Sequence, residues 1–225
     1  MHTWLAALAI LTLSLPTLAQ AQGRGGGPPR PIAGNGVEIP GWWARLDNPK
    51  DSRDGLKVAP AGSGIHAMTG PNAIYWDPQQ EWDGEYTVKA TFTLNKPASH
   101  QVAYGLFIGG TDLAGDDQAY TYFVIRQDGR YLIKKRTGAT TTNVAGDWAE
   151  HAAVMKPEAS GTQANELSIR VTGDTVVFMA NGKDVAMHPA SAVNTAGVAG
   201  LRIGHGLDVQ IDGFDVTEDG AGGSN

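Results

Sequence analysis

Tyr120, Tyr122, Arg126 and Tyr131 fall within the stretch YTYFVIRQDGRYLIKKRTG, residues 120–138, which sets flat amphipathic rings beside cationic donors. Such rings stack on the apolar face of a sugar while guanidinium and amide groups bond its hydroxyls, and this holds a mostly polar ligand in water. The competing account is that Tyr suits a half-exposed strand by propensity alone. With Asp128-Gly129 as a two-residue turn, Tyr120, Tyr122, Val124 and Arg126 share a face with Tyr131, Ile133 and Lys135. Phe123, Ile125 and Leu132 then mark the core side. Tyr120, Tyr122, Arg126 and Tyr131 are the candidate ligand-binding set, with His100 added because it precedes the strand QVAYGLFIGG, beside the acidic loop.

That loop, GGTDLAGDDQ at 109–118, gathers Asp112, Asp116 and Asp117 between two strands. Oxygen ligands crowded in a loop are what Ca²⁺ takes, although the spacing is not that of an EF-hand; a solvated acidic loop is the alternative. None of the six His falls at a metal-binding spacing such as H-x-x-x-H. Hydrolysis of a glycoside needs two carboxylates across a groove. The last strand, LDVQIDGFDV, puts Asp208 and Asp212 on one face and Asp215 on the other, without the Glu-x-Asp-x-x-Glu strand of a common glucanase class. Neither a G-x-S-x-G elbow nor a phosphate loop occurs.

The elements that must position these groups are strands. Val, Ile, Thr, Tyr and Phe gather in short runs separated by turn residues, with 30 Gly and 12 Pro in the chain. The runs predict strands at 42–47, 65–69, 73–76, 84–93, 102–108, 119–127, 130–136, 166–172, 175–180, 183–188, 197–203 and 207–216. Such spacing points to an all-β, antiparallel two-sheet jelly-roll sandwich. Two tight turns, Gly173-Asp174 and Asn181-Gly182, fix the register of the C-terminal half. They place Leu167, Ile169 and Val171 on one face with Val176, Phe178, Ala180, Val185 and Met187. The adjacent Trp42 and Trp43 must point to opposite faces of their strand.

Residues 4–15 are an uncharged, largely apolar run, followed by Pro16 and an A-x-A pattern at 19–21, which reads as a signal peptide removed after Ala21. The run is shorter than the ~20 residues of a span, which speaks against an uncleaved anchor. Export to the periplasm or the extracellular space follows. A Gly/Pro-rich linker at 22–36, a single β-sandwich domain at 37–217 and a disordered tail at 218–225 complete the organisation. With no Cys, disulfides, thiol-ligated metals and Cys nucleophiles are excluded. The net charge of −6 argues against nucleic acid as partner.

The strand HQVAYGLFIGG, the hairpin YTYFVIRQDGRYLIKKRTG and the terminal GLRIGHGLDVQIDGFDV resemble the concanavalin A-like lectin/glucanase superfamily, in particular exported bacterial domains of laminin-G-like and 3-keto-disaccharide hydrolase-like type. The resemblance covers roughly residues 37–216. It implies two packed antiparallel sheets, one curved, with ligands on the concave face or at a loop edge, sometimes beside Ca²⁺. Three functions remain open on the sequence: an exported carbohydrate-binding module, a glycoside hydrolase using Asp112 or Asp117 with His100 as helper, and an envelope interaction module without small ligand.

Overall fold

Alternation of apolar and polar residues gives way, in the middle of the chain, to strands that are apolar throughout, and this difference organises the two layers. The computed structural model describes residues 36–96, 100–158 and 161–219. The expected signal peptide, the expected linker up to residue 35 and the end of the chain beyond Asp219 lie outside the described residues. Within them no helix is long and apolar enough to cross a membrane.

Strands are numbered in chain order. The first sheet runs β1 (Trp43–Leu46), β4 (Ala73–Trp82), β14 (Gly197–Ile203), β6 (Ala103–Thr111), β7 (Ala119–Arg126), β8 (Arg130–Thr137) and β10 (Ala149–Glu150), with β9 (Thr140–Asn143) also on β8. The second runs β13 (Lys183–Pro189), β12 (Thr175–Ala180), β11 (Gln163–Thr172), β5 (Tyr86–Lys96), β15 (Asp208–Glu218), β3 (Gly64–Thr69) and β2 (Leu56–Ala61). The named strand pairs are all antiparallel, so the protein is the all-β, two-sheet sandwich expected.

Its core lies between the inner faces. Tyr86, Val88, Ala90, Phe92 and Leu94 alternate inward from β5 against Tyr104, Leu106, Phe123 and Ile125 of the first sheet. Rings close across the layers, Phe92 to Tyr104 at 5.7 Å and Phe123 to Phe178 at 5.6 Å. The second sheet mostly alternates, as a sheet with one solvated face does, except in β12, where Val176, Val177 and Phe178 are all buried. In contrast β6 and β7 are buried at nearly every position, so their outer face is covered as well. A separate cluster of Ile74, Trp76, Phe107, Tyr120, Tyr122 and Val124, with Leu113 and Leu132, packs there.

The register of the opening hairpin differs from the two-residue reading. Ile125 pairs with Tyr131, so the loop holds three residues, Gln127, Asp128 and Gly129. Gly129 takes φ +81° and its N–H donates to the Arg126 carbonyl at 3.1 Å, the arrangement in which an extra residue is absorbed by a left-handed glycine. One residue of slip exchanges the faces of β8. Tyr131 therefore moves to the core side, 6.2 Å from Phe123, while Leu132, Lys134 and Arg136 join the Tyr120–Tyr122 face.

The two C-terminal turns form as expected, with Thr172 opposite Thr175 and Ala180 opposite Lys183. Asn181 and Gly182 both have positive φ, +51° and +72°, which a type I′ turn demands. A bulge between Phe178 and Met179 then reverses β13, leaving Val185 buried but Met187 60% exposed, not in the core. Strands β2, β9 and β10 were not anticipated from the sequence. β15 extends through Glu218, and Asp219 bonds the Glu85 carbonyl, so the domain reaches past residue 217.

Candidate functional site

The outer face of the first sheet can be followed across the strands by register. Trp43 lies opposite Trp76, Trp76 opposite Gly200, Gly200 opposite Phe107, Phe107 opposite Tyr122 and Tyr122 opposite Lys134. A Cβ at Gly200 would stand 2.6 Å from the Phe107 ring, so glycine leaves the room that ring occupies. One row along, Arg45 and Arg202 flank Ile74; one row the other way, Tyr120 is opposite Arg136. As expected, Trp42 and Trp43 diverge: Trp42 packs with the main core, edge-on to Phe214, and Trp43 faces Trp76 at 6.1 Å.

Over these rings lies a guanidinium network. Arg202 grips Asp47 with both terminal nitrogens, Nη1 to Oδ1 at 2.7 Å and Nη2 to Oδ2. Arg136 Nη2 stands 3.8 Å from Asp47 Oδ1, and its Nη1 donates to the Gly138 carbonyl at 3.3 Å. Arg45 donates from Nη1 to the carbonyls of Leu113, at 3.1 Å, and Gly115, which folds the 112–117 loop back over the face. Arg202 also lies 5.4 Å above the Tyr122 ring and Arg136 5.9 Å from that of Tyr120, within cation–π range. At the far end Arg126 is bonded to Asp128 and rests 4.2 Å over Trp148.

Electrostatics follow from this crowding. Burial pushes against ionisation of Asp47, but the charge and hydrogen bonds of Arg202, then Arg136 and Arg45, outweigh it and hold the carboxyl below its ordinary range. Burial raises the Tyr120 phenol against the pull of Arg202 and Arg136, and pushes Tyr122 up to about 12 against that of Arg202. Both phenols are thus neutral donors near pH 7. Arg45 is lowered from its usual value by burial, with Arg136 adding to the effect.

The sequence-derived candidates divide. Tyr120, Tyr122 and Arg126 share this face, but Tyr120 is 1% and Tyr122 7% exposed, so they form its floor more than its contact surface. Tyr131 is on the opposite side of the sheet. His100 stands before β6, its Nε2 2.5 Å from His205 Nε2, and its carbonyl accepts from Gln127 at the hairpin end. Asp112, Asp116 and Asp117 follow β6 instead, so a strand of nine residues, roughly 30 Å long, separates them from His100. The helper role for His100 beside those carboxylates is therefore not what the fold builds. Asp112, at φ +46°, turns Oδ2 onto the Asp117 N–H at 3.0 Å. Among the described residues no three His, Asp or Glu side chains are gathered as a cation's ligand set.

Arg45, Asp47, Arg136 and Arg202 were missed as site residues. Their signal was present: Trp43, Arg45 and Asp47 alternate, and Arg202 interrupts the otherwise uncharged GVAGLRI strand. An open depression of about 730 Å³ beside the Asn181-Gly182 turn is lined by His151, Met155, Asn181, Lys183 and Asp184 among others. It lacks both the rings and the concentrated charge of the arginine face.

No family model matches the sequence and no curated protein matches it. Solved structures do share the architecture. The carbohydrate binding module CBM66 from Bacillus subtilis superposes with a TM-score of 0.57 at 13% identity, covering 79% of this chain and 96% of that one. A Bacillus subtilis protein of unknown function with a galectin-like fold gives 0.53 at 12% identity, over 85% of this chain and 97% of that one. The exoplasmic/lumenal domain of VIP36, in a Ca²⁺/Man3GlcNAc-bound form, gives 0.50 at 9% identity, over 84% and 90%. At such identities the fold is what is shared: a two-sheet sandwich of the kind seen in galectin-like proteins and carbohydrate-binding modules.

Proposed function

We propose that the protein is an exported carbohydrate-binding β-sandwich module, acting in the periplasm or outside the cell, whose ligand lies on the outer face of the first sheet. The observation that carries this reading is a sheet face where aromatic rings floor a bank of arginines, in place of the solvated polar surface of the second sheet. Half-buried Trp43 and Trp148 supply apolar faces at its rim, and Arg45, Arg126 and Lys134 supply donors. The use made of the same sandwich by the CBM66 module and the VIP36 domain supports the choice of ligand class. Export rests on the apolar N-terminal run and the A-x-A pattern at 19–21.

Hydrolysis is disfavoured by the same geometry. The carboxylate within the arginine cluster, Asp47, is occupied by Arg202 and held ionised, so it is a poor general acid. The test is a glycan array followed by calorimetry on the hits, with Trp43→Ala as the variant. Loss of one stacking platform is expected to weaken binding about tenfold with the fold retained. A chain that binds no member of a broad neutral and acidic panel would sink the reading.

A further inference from the structure

The arginine face is rich in donors and short of acceptors. Three guanidiniums carry up to fifteen N–H bonds at five each. Against these stand the two oxygens of Asp47, the carbonyls of Leu113, Gly115 and Gly138, and the Tyr120 hydroxyl, which meets Arg136. Arg136, its side chain 12% exposed, has a buried Nε with no partner among the described residues. Arg45 is half-buried and bonds through Nη1; its Nε and Nη2 are not buried orphans like Arg136 Nε and stay open to solvent or to a ligand. Asp112 and Asp116 lie near enough to act on Arg45 by charge, but Asp112 is already engaged by Asp117 and both are exposed. Partly desolvated guanidinium without an acceptor is costly, and a neutral sugar hydroxyl would bring another donor with each acceptor.

We propose that the missing acceptor belongs to the ligand, and that the ligand is an acidic saccharide whose carboxylate seats against Arg45 and Arg136. A carboxylate accepts at both oxygens, donates nothing and matches the planar guanidinium fork. Trp43 and Arg45 stand two residues apart on one face of β1, roughly 7 Å, so a uronic acid held by its carboxylate at Arg45 brings its ring alongside the indole. The protein as a whole carries −6, so long-range attraction does not draw polyanions in and recognition is local to this cluster. The inference rests on the carbohydrate-binding reading above and assigns its ligand class.

Calorimetry with the folded domain tests it, using trimers of galacturonate, mannuronate and guluronate and a glucuronate-bearing disaccharide. Each is compared as free acid, as methyl ester and as neutral hexose counterpart. At least one acid is expected to bind about tenfold or more tightly than its ester. Arg45→Gln is expected to abolish that difference, and Arg136→Gln to do the same if circular dichroism shows it folded; Arg45→Gln alone decides otherwise. Equal binding of acid and ester, or binding of neutral sugars alone, overturns the acidic ligand while leaving a saccharide site. A preference for acid that survives Arg45→Gln unchanged places the anion elsewhere and overturns the assignment. Failure of every acidic and neutral member removes the carbohydrate reading and this inference together.

Discussion

Arg202 is the residue on which the outer face turns. Its side chain is 13% exposed, bonded through both terminal nitrogens to a carboxylate 155 positions away in sequence. Its pKa is driven up: burial opposes the charge, but Tyr120, Asp47 and Tyr122 together overcome it. A buried pair of this kind adds little beyond an apolar pair of similar volume, yet removing one member strands the other. The Asp47 side chain is 26% exposed, so Asp47→Asn is expected to cost somewhat less than the ~3–5 kcal/mol of a fully buried pair, about 2–3 kcal/mol, read as a lowered urea midpoint. The double variant Asp47→Ala with Arg202→Met should recover much of that loss, because the unpaired charge goes with it. If the double variant is as unstable as Asp47→Asn, the penalty lies in packing and not in stranded charge.

At the scale of elements, the hairpin shows how one turn residue redirects a whole strand. The sequence identified β7 and β8 and their turn, because Val, Ile and Tyr runs on either side of Asp-Gly are strong local signals. The loop length was not legible, since Asp128-Gly129 suits a two-residue turn and a three-residue loop with a glycine bulge alike. Only the demand that Phe123 and Ile133 both face the core decides between them, and that demand comes from the opposing sheet. The burial of Tyr120 was hidden by a long-range contact too: Leu113 packs with it, and the 112–117 loop is held over the face by Arg45 of β1, about 70 residues away in sequence. Asn181-Gly182, with no such competitor, was placed correctly. Gly182→Ala meets open space at φ +72°, so it should cost about 1–2 kcal/mol for backbone conformation alone. Gly129→Ala at φ +81° adds a clash with the Lys156 side chain, at 2.3 Å from Cε, which that flexible chain can relieve. The two variants are thus expected to differ by less than ~1 kcal/mol in urea unfolding. A much larger loss at Gly129 would mean that the β7–β8 register itself had slipped.

For the molecule as a whole, the two sheets enclose one core, so the charge network on the outer face is coupled to global unfolding. Besides the exposed Glu150, lowered by its bond to Lys156, three carboxyls, Asp47, Asp128 and Asp208, are held below their ordinary values against burial. A carboxyl whose folded pKa is depressed contributes stability that is complete above its unfolded value, near ~3.9, and is lost as pH falls through the folded value. The three do not contribute alike. Asp128 is paired mainly with Arg126 two residues away, a contact available to the unfolded chain, and so shifts the folding equilibrium little. Asp208 is about one-third exposed and bonded to His66 and Asn95, where solvent screening discounts it. Asp47 meets guanidiniums brought together only by folding. Urea midpoints are therefore expected to stay level from about pH 7 to about 5 and to fall below about pH 4, as Asp47 takes up a proton and leaves Arg202 without its counter-charge. Asp208→Asn should keep that acid limb, while Asp47→Asn, less stable at pH 7, should show a shallower one. Parallel profiles for Asp47→Asn and the parent protein would assign the acid sensitivity to other carboxyls, and with it remove the Asp47–Arg202 pair as the electrostatic tie between the outer face and the fold.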